Sequence, residues 1–252
     1  MKRKILIGNW KMNKTMQQAI EFANAVREKA NEVEKKNIIL GIAPGYLCLP
    51  ILKKLGGSLL TFAQNVHYEE KGAFTGEVSI PMLEEIGVRG SLVGHSERRQ
   101  YFNETNKTCN LKLKALEAHN MNVVYCVGET LKEYEEGKTK EVLKKQVLEG
   151  IEGLSENYIS NLTIAYEPVW SIGTGKNASK EIASEMCGYI VEVIKEKYGE
   201  DVAGGVYVLY GGSVKPNNIK EYLDDDNIDG ALVGGASLEA NSFIEMIESI
   251  EE

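Results

Sequence analysis

The sequence predicts an α/β protein, a (β/α)8 barrel of eight parallel strands surrounded by helices, on three observations. Eight short runs rich in Ile, Val, Leu and small residues recur along the chain: "KILIGN", "IILGIAP", "LLTFAQN", "GSLVGH", "NVVYCVG", "LTIAYEP", "VYVLYGG" and "GALVGGA". Each is too uniformly apolar for a strand with one wet face and too short for a helix, the pattern of parallel strands covered on both sides. Segments of helical period lie between the runs. Glycines crowd the ends of the runs (Gly8, Gly94, Gly128, Gly211, Gly212, Gly234, Gly235), where a barrel assembles its site from many loops at once. A doubly wound open sheet is the alternative that the alternation by itself allows.

Along the chain, Thr15 caps a helix whose apolar positions Ile20, Ala23, Val26 and Ala30 repeat at three and four. The stretch "NVHYEEKGAFTGEVS" after the third run is too long for a simple connection, and a loop of that length is expected to be functional. His95 follows the fourth run and opens "HSERRQYF", while "KEYEEGKTKEVLKK" reads as a charged helical face. Ser179 precedes Ile182, Met186, Tyr189, Ile190, Val193 and Ile194, again at helical spacing. "LYGGSV" and "LVGGAS" each put Gly-Gly and a small residue directly after a run, and two neighbouring turns of this kind suggest one shared anion site. The "DDD" at 224–226 reads as a solvated loop. No Pro/Gly/Ser-rich linker interrupts the alternation, so residues 1–252 are expected to form a single domain.

A net charge of −8, from 29 basic and 37 acidic residues, leaves no field to attract nucleic acid. "MKRKILIGNWK" imitates the basic start of a signal peptide, but its apolar run covers only residues 5–7, against about 7 to 15 in a secretory leader. Nothing approaches the roughly 18 apolar residues of a membrane span, so a cytoplasmic protein without a membrane partner is expected. Cys48, Cys109, Cys126 and Cys187 form no C-x-x-C pair and read as small core residues. The three histidines are far apart, and no metal site is expected.

Residues 166–179, "YEPVWSIGTGKNAS", contain a dinucleotide-like G-x-G-x-x-A. The fingerprint requires its first glycine directly after the strand, yet Glu167-Pro168-Val169-Trp170 occupies that turn. The P-loop pattern fails too, since Gly175-Lys176 is followed by Asn177. A stiff Pro-x-Trp start and a soft Gly-x-Gly middle instead suggest a lid that moves about its ends. Amides exposed at Gly173, with Ser213 and the Gly234-Gly235 turn, are suited to cradle one phosphate.

Three chemical groups stand at run ends. Glu167 is either an accident of a strand terminus or a base whose pKa is raised by burial. His95 is either structural or a ring kept neutral by amide donors at a helix start. Lys11 in "GNWKMN" is ordinarily a surface lysine. Together, a base, a neutral donor and a cation beside a phosphate cradle suit proton transfer next to a carbonyl.

"GNWKMN", "AQNVHYEEKGAFTGEVS", "VGHSERR", "YCVGE", "AYEPVWSIGTGK", "LYGGSV" and "DGALVGGASL" closely resemble the triosephosphate isomerases, in that family's order and across essentially the whole chain. The resemblance implies interconversion of dihydroxyacetone phosphate and D-glyceraldehyde 3-phosphate in glycolysis and gluconeogenesis, with no cofactor and no metal. It implies Glu167 as the base, neutral His95 as the electrophile, Lys11 and Asn9 as substrate-binding groups, and Glu97 as their support. This family is a standard worked case of the carboxylate and neutral imidazole pairing. Gly173, Ser213, Gly234 and Gly235 match its phosphate contacts. Its lid corresponds to Pro168, Val169, Trp170, Ser171, Ile172, Gly173, Thr174, Gly175, Lys176, Asn177 and Ala178. Its long third loop enters a twofold partner, which implies a homodimer with Thr75 near the neighbour's Asn9, Lys11 and Glu97. Ser171 and Asn177 depart from the family's usual residues and bear on how the lid opens. Another phosphate-binding barrel isomerase and a catalytically silent triose-phosphate binding module are the competing readings.

Overall fold

All eight apolar runs become parallel strands in the computed structural model, which describes residues 2–171 and 178–251. They are β1 (Lys4–Asn9), β2 (Ile38–Ala43), β3 (Leu60–Thr61), β4 (Gly90–Val93), β5 (Asn122–Val127), β6 (Thr163–Tyr166), β7 (Tyr207–Tyr210) and β8 (Gly230–Val233). Their spatial order is β3-β2-β1-β8-β7-β6-β5-β4. The two ends of that order meet: Ala63 pairs with Ser91, its N–H donates to the Gly90 carbonyl (2.9 Å), and Leu92 N–H donates back to Ala63 O (2.8 Å). The sheet is therefore a closed barrel, and the open-sheet alternative falls away.

The uniform apolarity of the strands follows from closure. Ile5, Ile7, Ala43, Phe62, Leu92, Val124, Cys126, Ala165, Leu209 and Leu232 fill the barrel interior. Their neighbours Leu6, Val93, Val123, Tyr125, Ile164, Tyr166, Val208, Ala231 and Val233 face outward, under the helices. Apart from the two-residue β3 and the strand starts, both faces of the strands are thus dry, which removes the polar alternation of a one-sided sheet.

Helices cover the outer face. Met16–Val33 begins at Thr15, whose hydroxyl accepts from Gln18 N–H while the Gln18 side chain accepts from Thr15 N–H. It buries Ala19, Phe22, Ala23, Val26, Ala30 and Val33. Ile20, expected on that face, is only half-buried, because the stripe runs through Ala19 and Phe22. Lys180–Tyr198 starts at Ser179 as expected and buries Met186, Ile190, Val193 and Ile194.

Two expectations need correction. The third run supplies only Leu60 and Thr61 as regular strand. Past the Ala63 pairing the chain leaves the barrel wall: Gln64 donates to the carbonyls of Lys11 (2.8 Å) and Ala43 (2.9 Å), while Asn65 is held by Tyr46 and Lys112. The charged stretch "KEYEEGKTKEVLKK" is two helices, Leu131–Glu135 and Thr139–Gly150, broken at Gly137, where φ is 68°. All four cysteines are buried and unpaired in packing positions.

The loop between β3 and the helix Ile80–Glu85 folds back on itself. His67 N–H donates to Val78 O (2.8 Å), and the His67 ring lies against Phe74 and Tyr68. Residues 69–77 at its tip are exposed.

Candidate active site

Strand alternation decides which residues reach the C-terminal mouth of the barrel. Continuing the inward register by two residues takes Ile7 to Asn9, Ala165 to Glu167, Leu209 to Gly211 and Leu232 to Gly234. All four products of that step line one cavity of about 220 Å3, together with Lys11, His95, Ser213 and Gly235. This space suits a small molecule.

Glu167 is 2 % exposed. Its Oε1 lies 2.9 Å from His95 Nε2, and its Oε2 accepts the Ser96 backbone N–H at 2.9 Å. His95 caps the helix Ser96–Tyr101, and its Nδ1 accepts from Glu97 N–H (3.2 Å). That bond occupies the lone pair a second proton would need, so the ring carries its proton on Nε2 and donates it to Glu167. Burial works against the imidazolium, while the neighbouring Glu167 carboxylate outweighs it and draws the His95 pKa upward. The amide bond to Nδ1 sets the tautomer nonetheless, because a doubly protonated ring would point N–H at N–H.

The sequence admits a raised pKa for Glu167, and the geometry reverses it. Burial pushes the carboxyl upward, but His95, the Ser96 amide and Lys11 together hold it below the ordinary value. The carboxylate rests on two donors, the His95 ring and the Ser96 amide.

Lys11 adopts φ 53°, in the left-handed region a lysine rarely enters. Its N–H donates to Asn9 Oδ1 (3.0 Å) and its carbonyl accepts from Gln64, which holds the strained turn. Its Nζ meets Glu97 Oε1 at 2.7 Å, so Glu97 orients the ammonium from outside the cavity. Gln64 is a supporting residue that sequence reasoning missed, since an amide in an "AQN" run carries no spacing signal.

Ser213 and the Gly234-Gly235 turn line the same cavity. A side chain on Gly234 would approach Lys11 and one on Gly235 would enter open space, so both glycines leave the cavity clear. Gly235–Ser237 form a short helical turn there. Ser213 Oγ donates to Ser171 O at 3.0 Å. Gly211 packs against Glu167, where an added Cβ would stand 2.9 Å from Cγ of the carboxylate side chain.

Of the expected lid, Pro168 to Ser171 and Ala178 are described; Ile172, Gly173, Thr174, Gly175, Lys176 and Asn177 lie outside the described residues. The start of the segment is anchored as its Pro-x-Trp sequence suggests. Trp170 Nε1 donates to Glu129 Oε1 (2.7 Å), Val169 N–H donates to Glu129 O (3.1 Å), and Tyr134 stacks on the indole. Glu129 is fully buried, and burial draws its pKa upward against the donors Trp170 and Tyr166. Its role was not legible in "YCVGE". Thr75 is exposed at the tip of the long loop. Among the described residues, no group of three or more His, Cys, Asp or Glu is placed to hold a metal ion. No described helix is long and apolar enough to cross a membrane.

A closed (β/α)8 barrel with a carboxylate, an imidazole and an ammonium facing glycine turns at its C-terminal end belongs to the barrel enzymes that act on small anionic substrates. A family model described as triosephosphate isomerase matches residues 4–250. The triosephosphate isomerase of Clostridium botulinum (strain Langeland) is 49 % identical over 249 residues, covering 98 % of this chain and 99 % of that protein. Those of Prosthecochloris aestuarii and Acetivibrio thermocellus are both 47 % identical, the first covering all of both chains and the second 96 % of this chain and 97 % of its own. The chain belongs to the triosephosphate isomerase family.

Proposed function

We propose that the protein interconverts dihydroxyacetone phosphate and D-glyceraldehyde 3-phosphate, as a cytoplasmic homodimer acting in glycolysis and gluconeogenesis. The contact between Glu167 and His95 inside one small cavity carries this reading, supported by full-length similarity to proteins named for the reaction.

Aldose–ketose interconversion moves one proton between adjacent carbons and one between their oxygens, so no external oxidant is required. Substrate arriving at His95 Nε2 displaces Glu167 from its donors and frees a basic carboxylate beside the carbon acid. Glu167 then removes the carbon proton and returns it to the neighbouring carbon. His95 Nε2–H hydrogen-bonds the oxygens of the enediolate, and the Lys11 ammonium and Asn9 stabilise its charge. The phosphate sits against Ser213, Gly234 and Gly235. Excluding water from the enediolate limits its loss of phosphate.

Dimerisation accounts for apolar side chains left in water. Met12, Leu47 and Phe74 follow β1, β2 and β3, and Tyr101 and Phe102 both follow β4; all five are exposed, on one half of the barrel. On this reading the exposed Thr75, next to Phe74 in the chain, reaches the partner's Lys11 and Glu97; the Lys11–Glu97 ion pair is partly open to solvent.

A coupled assay with glyceraldehyde 3-phosphate tests the activity. Turnover is expected without added metal or nucleotide. A zero rate combined with measurable binding of a phosphate ligand would identify a silent binding module instead.

A further inference from the structure

The backbone leading into His95 is gripped by two side chains of opposite charge that lie outside the cavity. Gly94 N–H donates to Glu104 Oε1 at 2.9 Å, and the Gly94 carbonyl accepts from Arg99 Nε at 2.7 Å. The first bond fixes the peptide plane before Gly94, and the second fixes the plane that joins Gly94 to His95. Gly94 has φ 77°, and a Cβ there would stand 2.9 Å from the Arg99 guanidinium and 3.0 Å from Cys126 O. The turn thus depends on glycine and is held by charge-assisted hydrogen bonds on both sides.

Both anchors are themselves tied down. Glu104 is 7 % exposed, and its Oε2 receives Arg98 Nε (2.7 Å) and Lys112 Nζ (3.1 Å). Lys112 is also buried and reaches Asn65 Oδ1 at 2.7 Å. Arg99 donates to Asn106 Oδ1 (2.7 Å) and contacts Cys126 O (3.3 Å) and the Tyr125 hydroxyl (3.4 Å), so it spans from β4 to β5. Placing a carboxylate so deep is costly unless its charge does something the fold needs. The simplest ion pair would use both carboxylate oxygens on cations. Here one oxygen meets no cation: it accepts the backbone N–H of Gly94, the residue immediately before His95, and the weaker Cys109 thiol at 3.6 Å.

We propose that Glu104 and Arg99 are positioning residues for His95, clamping the Gly94 turn so that Nε2 and the Ser96 amide stand where the reacting oxygens and the Glu167 carboxylate require them. The clamp rests on the reading of His95 as the group that polarises substrate oxygens. It acts on the placement of the ring, with no contact to substrate, so its loss is felt in turnover more than in binding.

Glu104→Ala removes the amide anchor, and Lys112→Met breaks the same buried ion network without touching Gly94. A displacement near 1 Å costs up to about 100-fold in rate, so Glu104→Ala is expected to lose about 10- to 100-fold in kcat with KM within about threefold. Lys112→Met is expected to melt earlier yet keep kcat within about twofold. A folded Glu104→Ala with near-normal kcat would overturn the clamp, and so would a Lys112→Met variant that loses as much turnover. If Glu104→Ala yields no folded protein, Arg99→Met decides by the same split, with partial recovery expected in Arg99→Lys. His95→Gln is assayed alongside. A normal rate there defeats the reading of His95 itself, whereas a slow His95→Gln beside fast clamp variants defeats the clamp alone.

Discussion

Glu167 and His95 meet at 2.9 Å across the barrel mouth, one from the end of β6 and the other from the turn after β4, 72 positions apart in sequence. Neither side chain reaches the other through local structure. The contact exists because closure of the sheet brings strand ends to one rim. The same carboxylate accepts from an imidazole N–H through one oxygen and from a helix-start amide through the other.

Glu167→Asp keeps the charge and draws the carboxylate back by one methylene. Steady-state kinetics should show kcat lower by about 100-fold with KM little changed, since a retraction near 1 Å affects proton transfer and leaves the phosphate contacts alone. Turnover close to wild type would remove Glu167 from the base role.

Gly211→Ala places a methyl against Glu167 Cγ. The carboxylate cannot keep its position, so turnover is expected to fall by about tenfold or more on the same positional argument, with the fold intact by circular dichroism.

Acid stability follows from two depressed carboxyl groups. Glu104 is held below its ordinary value of 4.5; burial alone would raise it, but Lys112 and Arg98 win. Glu167 is likewise lowered. Groups with depressed folded pKa contribute stability that is complete above the unfolded value and is lost as pH falls through the folded one. The melting temperature should therefore hold near neutrality and drop as pH descends below about 4.5. Glu104→Gln should melt lower at pH 7 and show a shallower acid dependence; a parallel curve would contradict the assignment.

Phe62 fills the barrel interior, with Gly41 and Gly90 supplying the room for its ring. Phe62→Ala should cost about 3–5 kcal/mol through lost burial and a residual cavity, read as a lower urea midpoint.

The exposed apolar side chains after β1 to β4 should be covered in solution. Size exclusion at two concentrations is expected to give a dimer. Phe74→Asp at the loop tip should shift the population toward monomer and reduce kcat as Lys11 loses its neighbouring support. A monomeric wild type with full activity would refute the assembly.

Much of this was open to sequence reading, and particular residues show why. The dry strands, the Thr15 and Ser179 caps and the glycine turns are local signals, governed by period, capping and backbone freedom, and each appeared in the structure. Ile20 and the short β3 were misjudged because burial and pairing depend on neighbours that period alone does not specify. Gln64, Glu104 and Glu129 escaped notice for the same reason: their value lies in a distant carbonyl, amide or indole. The pKa of Glu167 could not be read from its apolar strand, since burial and donors push in opposite directions and only the donors' positions decide.

By itself, then, the sequence determined the alternation of elements, their caps and turns, and which chemical groups stand at strand ends, because these follow from short-range sterics and hydrophobic period. Tertiary structure alone decided that the sheet closes between Ala63 and Ser91, that Asn9, Glu167, Gly211 and Gly234 share one cavity, and that Glu167 rests on His95. Those outcomes depend on distances between residues far apart in the chain, and such distances are set when the two dry faces of the strands are covered at once.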